Sequence, residues 1–247
     1  MSNVILVTGG GRGIGRATCL RAAGAGYDVV VNWTRDRAAA DTTVERCEAL
    51  GARAIAVRAD VSDESAVRAM FDEAQGFGKL RVLVNNAGIV APQMRFDEMS
   101  VDRWRQLIDV NIVGAFLCAR EAIRRMSTRL GGDGGVIVNV SSAAAYLGSP
   151  GEYVDYAASK AAIDTLTIGL GKELAEDGIR VNAVRPGVIT TEIHASGGEP
   201  ERAQRVAPSV PMRRPGEPDE VAAAVMWLAS DEASYITGTT LDCSGGR

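Results

Sequence analysis

Among its 247 residues the chain has one histidine, His194, so neither a cluster of imidazole metal ligands nor a histidine pair sharing acid–base work can be assembled. Its four cysteines, Cys19, Cys47, Cys118 and Cys243, are scattered without a C-x-x-C pair and read as structural thiols. No apolar run approaches the roughly 18 residues a membrane-spanning helix needs; the longest are short pieces such as Val4–Val7. No secretory leader is expected either, because that first apolar run follows no basic segment and enters Thr8-Gly9-Gly10-Gly11 directly. A basic excess is absent too. The net charge of -4 argues against nucleic acid as the main partner, and the densest basic group, Arg124, Arg125 and Arg129, reads as a solvated helix end that complements the helix dipole. The expectation is a cytoplasmic protein that works without metal, membrane or nucleic acid. With 46% hydrophobic and 23% charged residues, the composition excludes a disordered chain.

What is present is a regular alternation. Short apolar runs at Val4–Val7, Val29–Val31, Ala54–Val57, Val82–Val84, Val136–Val140, Val181–Val184 and a weaker Thr239–Asp242 read as buried strands. Helical segments are expected between them near 14–26, 36–50, 63–77, 100–127, 153–177 and 217–230. Such β-α alternation builds a parallel sheet whose right-handed crossovers place helices on both faces. No linker or repeat divides the chain, so 1–247 reads as one α/β domain. The exception to regular structure is 191–218, which holds Pro200, Pro208, Pro211, Pro215 and Pro218 together with Gly197, Gly198 and Gly216. That composition breaks regular structure, and a segment of this length reads as a substrate-facing lid.

The first strand runs into Thr8-Gly9-Gly10-Gly11-Arg12-Gly13-Ile14-Gly15 and then into a helix. Glycines let the backbone turn tightly and approach a ligand, and the unpaired N–H groups of the helix start point at a pyrophosphate. The spacing is G-x-x-x-G-x-G rather than the longer G-x-G-x-x-G fingerprint. Its place at the first strand–helix junction makes it a dinucleotide turn.

The turn is joined by Asn85-Asn86-Ala87-Gly88 after the fourth strand, Asn111 in a helix, Ser142 after the fifth strand, Tyr156-Ala157-Ala158-Ser159-Lys160, and Pro186-Gly187. This set, in this order and spanning essentially the whole chain, resembles the short-chain dehydrogenase/reductase family, notably its glucose-dehydrogenase-like and 3-oxoacyl-thioester-reductase-like members. The resemblance implies a Rossmann-type, doubly wound parallel sheet of about seven strands, with the cofactor along the strands' C-terminal ends. Carried over by position, it implies that Gly9, Gly13, Ile14 and Gly15 meet the pyrophosphate. Asp60 and Val61 would border the adenine, and Asn86, Ala87 and Gly88 the adenosine side. Pro186 and Gly187 would follow the sixth strand so that Val188 and Thr191 contact the nicotinamide carboxamide. It also implies a homo-oligomer, a homotetramer, and the small residues Ala157, Ala158, Ala161 and Ala162 would allow close packing of the 153–177 helix against a partner.

Tyr156 and Lys160 are four apart, so on a helix they share a face. A nearby ammonium and the oxidised nicotinamide's positive charge are expected to lower the tyrosine pKa from its usual value of about 10, making Tyr156 a general acid or base. The resemblance further implies that Lys160 bonds the nicotinamide ribose, Ser142 orients the substrate oxygen and Asn111 holds a water linking Lys160 to solvent. Ser142 precedes Tyr156 by 14 residues, one more than the family's usual spacing, which a one-residue loop insertion explains. Ser141 remains the second choice for the serine, and Tyr153 is an alternative base without a lysine four positions on.

These features lead to interconversion of a small-molecule carbonyl and alcohol, with NADP(H) preferred and NAD(H) the alternative. An NAD enzyme offers an acid at the second strand's end to accept from the ribose 2'-OH, whereas this chain has Asn32-Trp33-Thr34. Arg12 and Arg35 could instead embrace a 2'-phosphate, and Asp36 just beyond would favour NAD if the loop shifted. An NAD-dependent sugar or polyol dehydrogenase is the alternative enzyme, and a cofactor-binding sensor the alternative of another class. Arg202, Arg205, Arg213 and Arg214 beside Glu192, Glu199 and Glu201 give the lid no single charge preference.

Overall fold

The computed structural model describes residues 2–247. Seven strands are observed: β1 (Asn3–Val7), β2 (Asp28–Trp33), β3 (Ala54–Arg58), β4 (Lys79–Asn85), β5 (Gly135–Val140), β6 (Ile179–Pro186) and β7 (Thr240–Cys243). All pair in parallel, in one sheet of order β3-β2-β1-β4-β5-β6-β7. The helices are α1 (Gly13–Gly24), α2 (Arg37–Ala49), α3 (Glu64–Phe77), α4 (Val101–Ile108), α5 (Gly114–Met126), α6 (Ala144–Leu147), α7 (Val154–Glu173), α8 (Ile193–Ser196), α9 (Arg202–Val206) and α10 (Pro218–Ala229).

The inner strands β1, β2 and β5 carry unbroken apolar runs because both faces are covered. In β1, Ile5 and Val7 point into the core beneath α1, α2 and α10, while Val4 and Leu6 point into the core beneath α3 and α5. Strand periodicity thus splits one run of four residues between two cores. Cys19 and Cys47 belong to the first core and Cys118 to the second; burial pushes all three thiols up, Cys47 to about 11 and Cys118 to about 12, so they act as packing residues.

From β1 the chain winds outward to β2 and β3, then returns to β4 and winds the other way. The crevice of such a sheet lies at the C-terminal ends of the strands where the winding reverses, β1 and β4. Three helices are capped by their own side chains: Asp36 accepts from Ala39 N–H (2.9 Å) at α2, Asp63 from Ser65 and Ala66 N–H at α3, and Ser100 from Arg103 N–H at α4. Helix α1, which starts at the β1 end of the crevice, has no side-chain cap and no acid in its first turn.

Three expectations change. The segment expected as one helix over 100–127 is continuous from 101 to 126 but widens into a π turn over Asp109–Val113, which contains Asn111; such single-turn bulges cluster at functional sites. The proline-rich 191–218 stretch is less irregular than its composition suggests. It holds α8, closed by Gly197, and α9, which fits between Pro200 and Pro208, and the bridge Ile189–Gly216 closes its base. Finally, Arg125 is not a solvated helix end: its side chain is 11% exposed and pairs with Glu121 and Asp72. No described helix is long and apolar enough to cross a membrane.

Candidate active site

The glycine turn is held open by its neighbours. Gly9 (φ 64°) and Gly13 (φ 52°) adopt the left-handed conformation that side-chain-bearing residues avoid. A Cβ on Gly15 would sit 2.3 Å from Gly9 O and 2.6 Å from the Asn86 amide, so α1 can approach the turn only with glycine there. Asn86 donates to Thr8 O (2.8 Å) and Gly9 O (3.1 Å), and Thr8 Oγ1 accepts from the N–H groups of Asn86 and Ala87. Asn32 accepts from Gly9 N–H (3.1 Å) and donates to Ala59 O (3.0 Å). Arg16 folds back on Gly11 O. The turn is therefore preset by β1, β2 and β4 together, with the uncapped N–H groups of α1 free for an external anion.

Ile14, Asn86, Gly88, Ser142, Tyr156, Lys160, Pro186, Gly187, Val188 and Thr191 line one cleft. The turn, the strand ends and the tyrosine–lysine helix thus share one space. Lys160 Nζ donates to Val140 O (2.8 Å), and its own carbonyl accepts from Ser141 Oγ (3.1 Å). Ser141 is thereby committed to holding α7 against β5. Ser142 Oγ accepts from Ala144 N–H (3.1 Å), which leaves its proton for another acceptor and favours Ser142 over Ser141 as the reactive hydroxyl. Between Ser142 and Tyr156, in the turn after α6, Ser149 takes a positive φ of 46°.

Asn111 bonds the main chain of Ile89 in both directions, Ile89 N–H to Oδ1 (2.8 Å) and Nδ2 to Ile89 O (3.0 Å), and also reaches Ser159 Oγ (3.1 Å). A Cβ on Gly88 would lie 3.4 Å from both Asn111 Oδ1 and Lys160 Nζ. The amide's visible work is to pin the strand-end loop beside Lys160.

The electrostatics of the pair reverse the expected sign. Instead of a depressed value, burial pushes the Tyr156 pKa up to about 12, with the Ser142 hydroxyl acting in the opposite sense. Burial pulls Lys160 down to about 8, and Asp164, one helical turn on, counters part of that fall. Desolvation outweighs attraction between the two because Nζ is directed to Val140 O and sits 5.7 Å from the Tyr156 ring centre. Burial thus favours the neutral phenol of Tyr156 and opposes the charge on Lys160.

At the crevice's other end Arg12 and Arg35 are exposed. Asp36 is engaged as the cap of α2, so the carboxylate that would favour a free 2'-hydroxyl is turned to its own helix. Asp60 accepts from Ser62 N–H and Oγ, and Val61 is buried against Gly114. Thr191 packs on Gly13.

Several contacts around the cleft gave no signal in the sequence. Tyr153 is 5% exposed and lies under the Arg202 guanidinium, 5.1 Å from ring centre to Cζ. Arg202 makes a two-pronged pair with Glu152 (2.6 and 3.2 Å), joining the 191–218 segment to the residues before α7. His194 Nε2 is 2.9 Å from Ile189 O, and burial lowers its pKa, leaving a neutral ring on the cleft wall. Arg103 and Asp155 form a buried pair next to Tyr156. Among the described residues no group of acidic, histidine or cysteine side chains could hold a metal.

The geometry has counterparts in known proteins. A family profile described as enoyl-(acyl carrier protein) reductase matches residues 9–247. The chain is 53% identical to an uncharacterized oxidoreductase, YgfF, of Escherichia coli K12, over 99% of both chains. It is 40% identical to glucose 1-dehydrogenase 2 of Bacillus subtilis, over 98% of this chain and 93% of that one. The crystal structure of acetoin dehydrogenase from Salmonella typhimurium superposes with a TM-score of 0.87 at 37% identity, covering 100% of this chain and 97% of the other.

Proposed function

The chain belongs to the short-chain dehydrogenase/reductase family and is an oxidoreductase of CH–OH and C=O groups, and from that premise we propose that it interconverts a small-molecule carbonyl and alcohol with NADP(H), Tyr156 being the general acid and base. The observation that carries this reading is the meeting of Ser142, Tyr156 and Lys160 with the turn residue Ile14 and with Thr191 in one cleft. The cofactor fits the chain's own geometry: the preset glycine turn and uncapped α1 suit a pyrophosphate, and Gly88 leaves room beside Lys160 Nζ.

When bound, the nicotinamide supplies or accepts the hydride. The chain's residues handle the oxygen. Ser142, oriented by the Ala144 N–H, donates to the substrate oxygen, and Tyr156 delivers its proton as negative charge develops there. Lys160 stabilises the resulting phenolate and binds the nicotinamide ribose. Asn111 keeps the Ile89 loop in register with Lys160. Val188 and Thr191 would border the carboxamide, Asp60 and Val61 the adenine, and Asn86, Ala87 and Gly88 the adenosine side. The 191–218 segment closes over the substrate, with Arg202–Glu152 as its tie.

A pH dependence follows. Reduction needs both the phenol proton and the Lys160 ammonium. The Lys160 group loses its charge near pH 8 and Tyr156 its proton near 12. Since both losses occur as pH rises, kcat/KM for carbonyl reduction is expected to be level through neutral pH and to fall with unit slope above about 8. A pH–rate series checks this; a reduction rate that rises through that range would show that the Lys160 ammonium does not support proton delivery by Tyr156.

The protein assembles as a homotetramer through α5 and α7. Ala157 is buried within its own subunit rather than facing a partner, so the contact rests on exposed Ala158 and Ile168 of α7 with Phe116 of α5, Ile168 and Phe116 being 43% and 45% exposed. Sedimentation should give a species near four times the 26.0 kDa protomer; monomer alone at micromolar concentration rejects it. The proposed activity itself is tested by turnover of NADPH and NADH over a panel of aldehydes, ketones, sugars and polyols. Turnover with NADPH and a carbonyl is expected. Cofactor binding without turnover would favour a sensor, and turnover confined to NAD and a polyol would favour the alternative enzyme.

A further inference from the structure

Tyr156 is the third residue of α7, within the first turn, where backbone N–H groups lack intrahelical acceptors. The residue before the helix, Tyr153, contributes no side-chain cap. The second turn is secured by Lys160 Nζ on Val140 O and Ser141 Oγ on Lys160 O. The first turn is secured differently. Asp155 Oδ1 accepts from the Tyr156 N–H (2.9 Å), and the same carboxylate is gripped by Arg103 of α4 through Nε (2.6 Å) and a terminal nitrogen (3.1 Å). The other terminal nitrogen of Arg103 donates to Pro92 O in the loop after β4. The side chains are 10% and 5% exposed.

A buried ion pair adds little net stability compared with apolar packing of the same volume, because desolvation offsets attraction. A two-pronged guanidinium–carboxylate contact does, however, admit one relative orientation. We propose that the Arg103–Asp155 pair is the positioning device for the Tyr156 hydroxyl, fixing the first turn of α7 against α4 and against the loop that walls the cleft. This rests on the reading of Tyr156 as the acid/base group. Arg103 acts through Tyr156, and the anionic partner is held at the helix N-terminus, where the dipole favours it.

Two readouts test the pair in the full-length protein. In Arg103→Met, hydrogen exchange of the peptide carrying Tyr156 should accelerate about tenfold while peptides of β1 and β5 keep their protection. With the carbonyl compound turned over best by the parent, kcat should fall about 10- to 100-fold, the scale of an ångström-sized misplacement. KM and the NADPH dissociation constant should stay within about two-fold of the parent, since the first turn touches neither the glycine turn nor the adenosine side. In a Tyr156→Phe background the same substitution should cost nothing further, and Arg103→Lys, which keeps the charge but not the fork, should be intermediate. Parental kcat and exchange in Arg103→Met, or an equal loss in the Tyr156→Phe background, would overturn the proposal. Should Arg103→Met fail to fold, Asp155→Asn, which retains an oxygen for the Tyr156 N–H, carries the same comparison. Parental activity in Tyr156→Phe alone would instead overturn the acid/base reading.

Discussion

Tyr156→Phe is expected to lower kcat for carbonyl reduction by about 10²- to 10⁴-fold, a barrier increase of roughly 2.7–5.4 kcal/mol, while NADPH affinity stays within about two-fold. The ring and its packing survive and only the hydroxyl is deleted. No other group replaces it. Tyr153 lies under Arg202, and His194, with Nε2 directed to Ile189 O, is held neutral. Burial favours the protonated phenol of Tyr156, the form that the proposed acid role in reduction requires. Lys160→Ala should damage both rate and cofactor affinity, since one ammonium is proposed to serve both. Single-turnover rates and cofactor titration of the two variants separate these effects.

Arg12→Ala and Arg35→Ala are each expected to weaken NADPH by about 1.5–3 kcal/mol, roughly 10- to 150-fold in dissociation constant, and to leave NADH nearly unchanged. Arg37 is tied to Asp41 at 3.2 Å, whereas Arg12 and Arg35 are exposed and have no carboxylate partner among the described residues. Asp36, which could have repelled a 2'-phosphate, caps α2 through Ala39 N–H. Arg12 in the glycine turn and Arg35 just past the end of β2 are thus both uncommitted, while Asp36 is directed to its own helix. Fluorescence titration with both cofactors decides the point: equal parental affinity for NADPH and NADH, or equal losses in both variants, contradicts the assignment.

The fold could be read from periodicity because its strands are buried on both faces, so β1, β2 and β5 stand out as apolar runs between amphipathic stretches. The site could be read where chemistry demands a residue type at a fixed step, as with Tyr156 and Lys160 on one helix face or glycines at positive φ. Long-range pairs gave no such signal. Arg103 and Asp155 are 52 residues apart, and Arg202 and Glu152 are 50 apart; each looks like an ordinary surface charge until the sheet brings them together. The direction of the tyrosine pKa shift was hidden for the same reason. Its sign depends on how completely Tyr156 and Lys160 are desolvated, and burial is a property of the packed chain.

The central claim is tested most directly by following the transferred hydrogen. NADPH carrying deuterium at the reactive nicotinamide C4 position, incubated with the protein and the carbonyl panel, should yield an alcohol with one deuterium on its carbinol carbon, detected by mass spectrometry. The initial rate of label delivery should fall about 10²- to 10⁴-fold when Tyr156→Phe replaces the parent. NADPH binding with no deuterium delivered to any carbonyl compound, or label transfer undiminished in Tyr156→Phe, would contradict the account.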